Sequence, residues 1–105
     1  MRLIEQLSDH IREEIEDAET YIREASDCRE KNPETAEVYR TLAEEELKHM
    51  DLLHNAVTKV IDAWKRSSGQ EVPPVMQARY DILHKIAIGD ANKVKLMIQL
   101  YKEAR

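Results

Sequence analysis

Apolar residues recur three and four apart along most of this chain, the spacing of a helix with one buried side rather than the alternation of a strand. One such walk reads Ile4, Leu7, Ile11, Glu14, Ala18, Tyr21, Ala25 and Cys28. A second reads Tyr39, Leu42, Glu46, His49, Leu53, Ala56 and Val60. A third reads Met76, Tyr80, Leu83, Ala87, Ala91, Val94, Ile98 and Tyr101. Two breaks separate the walks. In Lys31-Asn32-Pro33-Glu34, Asn32 suits a helix cap, Pro33 the first helical position and Glu34 the first turn. In Ser67-Ser68-Gly69-Gln70-Glu71-Val72-Pro73-Pro74, a loop ends in a proline that can start a helix. The pattern predicts helices over about 2–30, 34–66 and 74–103 in a single domain spanning residues 1–105. The third stripe stays in phase through Gly89-Asp90, which predicts one long helix there rather than two with Asp90 as a cap.

The third stripe is wholly apolar, with a tyrosine near each end. The other two are interrupted in the middle, by Glu14 in one and by Glu46 and His49 in the other. A carboxylate on a buried stripe costs several kcal/mol unless it is paired or holds a metal. The acidic residues Glu13, Glu16, Asp17, Glu19, Glu24, Glu44 and Glu45 fall mostly on flanks or outer faces and need no such account.

Composition narrows the class. With 105 residues, 42% hydrophobic and 35% charged, the chain is too apolar for disorder and too charged for a membrane protein. No apolar run approaches the roughly 20 residues that span a bilayer. Two glycines, three prolines and no phenylalanine favour an all-α fold. A net charge of −5 without a basic cluster argues against nucleic acid as a partner. The one cysteine, Cys28, cannot form an internal disulfide, which fits a reducing compartment. The opening Met1-Arg2-Leu3-Ile4-Glu5-Gln6-Leu7 lacks the apolar core of a signal peptide, so the cytoplasm is the expected location.

Glu46-Leu47-Lys48-His49 is a Glu-x-x-His step, which puts a carboxylate and an imidazole on one helix face. Di-iron bundle proteins use two such steps together with a Glu from each of two other helices. Heights agree with this use. Glu14 lies roughly 24 Å from the end of the first helix and His49 roughly 22 Å into the second, at 1.5 Å per residue. In an antiparallel pair joined near Asn32, Glu14, Glu46 and His49 therefore meet near one level. One chain supplies one Glu and one Glu-x-x-His, half of a two-metal site. Two chains about a two-fold axis supply the whole set, so a homodimer or a higher even-numbered oligomer is expected, with the third helix covering the outside of the bundle or building a larger assembly. The plain alternatives are a buried Glu–His hydrogen bond, a polar pair that fixes dimer register, and for Glu14 an ion pair at a helix edge.

Glu14-Ile15-Glu16-Asp17-Ala18-Glu19-Thr20-Tyr21, followed by Glu44-Glu45-Glu46-Leu47-Lys48-His49, resembles the ferritin-like superfamily, which includes rubrerythrins, bacterioferritins and encapsulated ferritins. The resemblance covers roughly residues 10–60 and is nearest to the single-hairpin encapsulated ferritins. It implies a ferritin-like hairpin plus a third helix, with the four-helix bundle completed by dimerisation. It implies Glu14, Glu46 and His49 as iron ligands, Tyr21 as their hydrogen-bond partner, and Glu13 and Glu16 as acidic positions where iron first docks. Two features depart from it. Thr20 stands where encapsulated ferritins have tryptophan before the tyrosine. The segment Gln99-Leu100-Tyr101-Lys102-Glu103-Ala104-Arg105 reads as a helix end rather than a peptide that docks cargo into an encapsulin shell.

The implied activity is oxidation of Fe(II) by O₂ at a dimer-interface site holding two Fe ions per dimer, for iron storage or detoxification. Carboxylate and imidazole ligands also admit manganese or zinc. A rubrerythrin-like peroxidase is the second reading, but one cysteine cannot make a rubredoxin site, so a partner would supply the electrons. A metal-free helical adaptor is the third. Elsewhere, Asp81-Ile82-Leu83-His84 is an Asp-x-x-His step, and Asp81 falls off the apolar face. His10 and His54 read as surface or edge residues, Cys28 as a packed thiol, and Met50, Met76 and Met97 as core. Trp64 is expected to pack at the end of the second helix.

Overall fold

Proline and glycine set the helix ends. In the computed structural model, which describes residues 2–104, α1 spans Arg2–Cys28, α2 Pro33–Ser68 and α3 Pro74–Glu103. Among these residues there is no strand. Pro33 and Pro74 open their helices, where a missing N–H costs nothing. Gly69 closes α2 with φ 66°, its N–H donating to the Lys65 carbonyl at 2.9 Å. That left-handed backbone is why glycine stands there. Asn32 holds the N-cap position of α2, but the expected side-chain cap is not made. Its ψ of 68° lies outside the extended region from which a cap reaches forward. Instead the Asn32 N–H donates to the Cys28 carbonyl at 2.7 Å, ending α1 two residues before the expected 30.

A short link makes α1 and α2 an antiparallel pair, and α3 lies along them, mostly against α1. The molecule is a rod of 58 × 18 × 18 Å. Its main core joins Ile11, Ile15, Ala18, Ile22 and Ala25 of α1 to Ala43, Leu47 and Met50 of α2 and to Ala91, Val94, Ile98 and Tyr101 of α3. The small residues Ala18, Ala25, Ala36 and Ala43 let the α1 and α2 backbones approach closely. A second cluster, Ile4, Val72 and Tyr80 with Trp64 and Met76 against it, closes the far end.

The buried faces overlap the expected stripes in part. In α1 the stripe is buried at Ile4, Ile11, Ala18 and Ala25, joined by Ile15 and Ile22 from beside it, while Leu7, Glu14, Tyr21 and Cys28 are half-exposed. In α2, Ala36, Ala43, Leu47 and Met50 are buried, and the stripe from Tyr39 to Val60 lies at the margin. The reason is α3. Helix α1 divides its apolar surface between two neighbours, so its burial centres between them. Within one chain Glu14 and Glu46 are half-exposed and His49 is exposed, on an open side of the hairpin. Leu83, placed in the third stripe, is likewise exposed.

The C-terminal half of α3 is fastened by charge. Lys93 pairs with Glu19 of α1 at 2.8 Å, and Lys102 pairs with Glu44 of α2. The Lys93 hydrogen bond, reinforced by Arg23, holds the Glu19 carboxyl below its ordinary value. Lys102, reinforced by Arg40, does the same for Glu44. Arg29 donates to the Tyr101 carbonyl and lies over that ring, 4.1 Å from its centroid. Toward the N-terminal half of α3 the helices part, leaving a cleft of about 560 Å³ before Tyr80 closes it. Helix α3 runs unbroken through Gly89 and Asp90.

Candidate metal centre

Glu14 and Glu46 both reach His49. The imidazole Nδ1 lies 3.3 Å from Glu14 Oε2 on α1 and 3.7 Å from Glu46 Oε2, one turn earlier on α2. These three are the group among the described residues whose ligand atoms, two carboxylate oxygens and an imidazole nitrogen, all lie within 4.8 Å of one another. Such a span suits a single cation, and the O/O/N donor set suits Fe(II), Mn(II) or Zn(II). The residues present therefore fit a metal.

The site is graded outward. Side-chain exposure rises from 16% at Glu46 through 25% at Glu14 to 54% at His49. The carboxylates are set against the hairpin and the imidazole faces out. Leu53 and Val60, one to three turns further along α2, continue the same half-exposed side. Helix α3 packs on the other side. Glu14 and Glu19 are five residues apart, about 140° around α1, and Glu19 is the residue that meets α3.

The remaining candidates fall outside this group. Tyr21 stacks on Tyr39, with centroids 6.2 Å apart and planes at 27°, about two helical turns from the metal group. Among the described residues, its implied hydrogen bond to a ligand carboxylate is not formed within one chain. Glu13 pairs with His10 at 3.3 Å on the exposed side of α1, and Glu16 is also exposed. Asp81 accepts a hydrogen bond from Gln77 Nε2 at 2.9 Å. His84 stacks on His54, with ring centroids 4.6 Å apart. The apolar pattern places His54 at the surface or an edge and does not pair it with His84. The available signal was that Asp51-Leu52-Leu53-His54 repeats the Asp-x-x-His step of residues 81–84.

No helix among the described residues is long and apolar enough to cross a membrane. A family model described as rubrerythrin matches residues 5–105. No curated protein and no solved structure matches the chain.

Proposed function

The chain belongs to the rubrerythrin family, within the ferritin-like superfamily, and on that footing we propose that it oxidises Fe(II) with O₂ at a site shared between two copies. The observation that carries this reading is the convergence of Glu14, Glu46 and His49 on an open side of the hairpin. Half of a two-metal ligand set lies on a face that a second copy can cover. Two chains about a two-fold axis bring together two Glu14, two Glu46 and two His49, the set used by di-iron bundles.

Fe(II) is the substrate. Two Fe(II) each give one electron to O₂, which takes up two protons and leaves as hydrogen peroxide, while the iron leaves as Fe(III). The chain's own groups prepare for this. Glu14 and Glu46 supply negative charge that draws in a cation and remains close by as its charge rises. His49 supplies a ring nitrogen, with Nδ1 3.3 Å from Glu14 Oε2 and 3.7 Å from Glu46 Oε2. The exposed acidic residues Glu13 and Glu16 raise the local cation concentration on the same helix. The stacked Tyr21 and Tyr39 wall the hairpin toward its closed end. Iron storage or detoxification is the role that fits this activity.

Native mass spectrometry after anaerobic Fe(II) loading tests the proposal. The expected species is a dimer, or a multiple of it, with two irons per pair of chains, consuming one O₂ per two irons on aeration. A dimer that takes up no iron would make the polar trio a device for register. A monomer holding two irons would overturn the shared site.

A further inference from the structure

The sequence contains one four-residue step twice. Asp51-Leu52-Leu53-His54 in α2 and Asp81-Ile82-Leu83-His84 in α3 each place a carboxylate three residues before an imidazole. Residues three apart share a helix face. The fold brings the two imidazoles together and sets both carboxylates on one cleft, their donor atoms not yet converged. His54 and His84 stack across the α2–α3 gap, with centroids 4.6 Å apart and planes at 21°. Asp51 and Asp81 line the same cleft of about 560 Å³, above a floor that includes Ile11, Met50 and Val57.

This place is separate from the centre built on Glu46 and His49. His54 follows His49 by five residues, about 140° around α2, and so faces α3 rather than the open side. Elsewhere α2 and α3 touch sparingly. Lys95 also lines the cleft, but it lies eleven residues beyond His84, about 16 Å further along α3.

We propose that Asp51, His54, Asp81 and His84 form a second metal site, contained within one chain, that takes a divalent cation of the Zn(II), Co(II) or Ni(II) kind. Two imidazole nitrogens and two carboxylate oxygens are the donors such borderline cations prefer. The carboxylates also balance the cation's charge. The stacked rings are the metal-free arrangement. A ring nitrogen's lone pair lies in the ring plane, so near-parallel rings must swing to converge on one ion. They have room to do so: His84 is exposed and His54 half-exposed at the mouth of the cleft. Asp81 turns from Gln77 to the metal, or keeps that bond through its second oxygen. Closure on an ion ties the loosely held N-terminal half of α3 to α2.

Zinc titration of the full, untagged chain tests this, followed by calorimetry and native mass spectrometry. Three proteins are compared: the natural chain, Glu46→Ala/His49→Ala, and His54→Gln/His84→Gln. The first double variant is expected to keep one zinc per chain. The second is expected to lose that zinc while keeping its helical circular dichroism, since both side chains are at the surface. His84→Ala alone weakens zinc at least about tenfold, because even outer partners of metal ligands are worth that much. In Glu46→Ala/His49→Ala, zinc slows amide exchange over residues 75–88 and raises the melting temperature, and in His54→Gln/His84→Gln the exchange over residues 75–88 no longer responds to zinc. An equal zinc count in the natural chain and His54→Gln/His84→Gln overturns the site. So does an absence of zinc from Glu46→Ala/His49→Ala. Neither result bears on iron at Glu14, Glu46 and His49.

Discussion

His49 Nδ1 on α2 lies 3.3 Å from Glu14 Oε2 on α1, a contact between residues 35 apart in sequence. It ties the two long helices at mid-height, on a side of the hairpin that no other element of the described chain covers. A polar contact exposed this way adds little stability by itself. Its interest is that Glu46 joins it, so that three ligand atoms share one small volume.

Glu46→Ala separates chemistry from folding. Fe(II) oxidation followed by absorbance should fall to the uncatalysed background, and iron affinity should drop by at least about tenfold, by comparison with losses seen when partners of metal ligands are removed. Stability should change by about 1 kcal/mol or less, because the side chain packs no core. Circular dichroism and thermal melting check the second half of the expectation.

Two neighbouring leucines test the face. Leu53 lies on the Glu46 side of α2, half-exposed, whereas Leu52 points away and is 68% exposed. Leu53→Lys should weaken a dimer by about 2 kcal/mol or more, over tenfold in dissociation constant, and take iron oxidation with it. Leu52→Lys should leave both unchanged. Sedimentation and oxidation assays on the two variants give the answer, and equal behaviour would remove the face from the dimer.

Acid should loosen α3 at its C-terminal half. Glu19 and Glu44 are held below the ordinary value of 4.5, chiefly by hydrogen bonds from Lys93 and Lys102. A depressed carboxylate contributes stability that is full above 4.5 and is lost as pH falls through the depressed value. Both pairs are solvent-screened, so each contributes about 1 kcal/mol or less, and salt should reduce the effect. Melting temperatures between pH 5 and 3 should fall less steeply in Glu19→Gln/Glu44→Gln than in the natural chain, which starts higher.

Gly89 stands inside α3, without a left-handed backbone and with nothing within 4 Å of where a Cβ would stand. Gly89→Ala should therefore stabilise the chain by about 0.5–1 kcal/mol through helix propensity alone. A rise of a few degrees in melting temperature is expected for a chain of this size. A fall instead would mean that a second helix approaches the glycine closely in the assembled protein.

Much was already written in the residue order. Apolar spacing, together with Pro33, Gly69 and Pro74, dictated three helices. Chain length at 1.5 Å per residue put Glu14, Glu46 and His49 at one level, because rise per residue does not depend on neighbours. Tertiary structure decided the rest. A helical repeat says which residues share a face, but not which neighbour that face meets. Only the docking of α3 on α1 showed that Ile15 and Ile22 join Ile11, Ala18 and Ala25 in the core, leaving Glu14 and Tyr21 at the margin. Asn32 looked like a cap, yet the turn into α2 set its backbone where the side chain could not reach. His54 and His84 are 30 residues apart on different helices, and their contact depends on how far α3 leans from α2. Local propensity is a property of a few successive residues, whereas that lean is set jointly by the Lys93 and Lys102 ion pairs, the Tyr101 packing and the Tyr80 cluster.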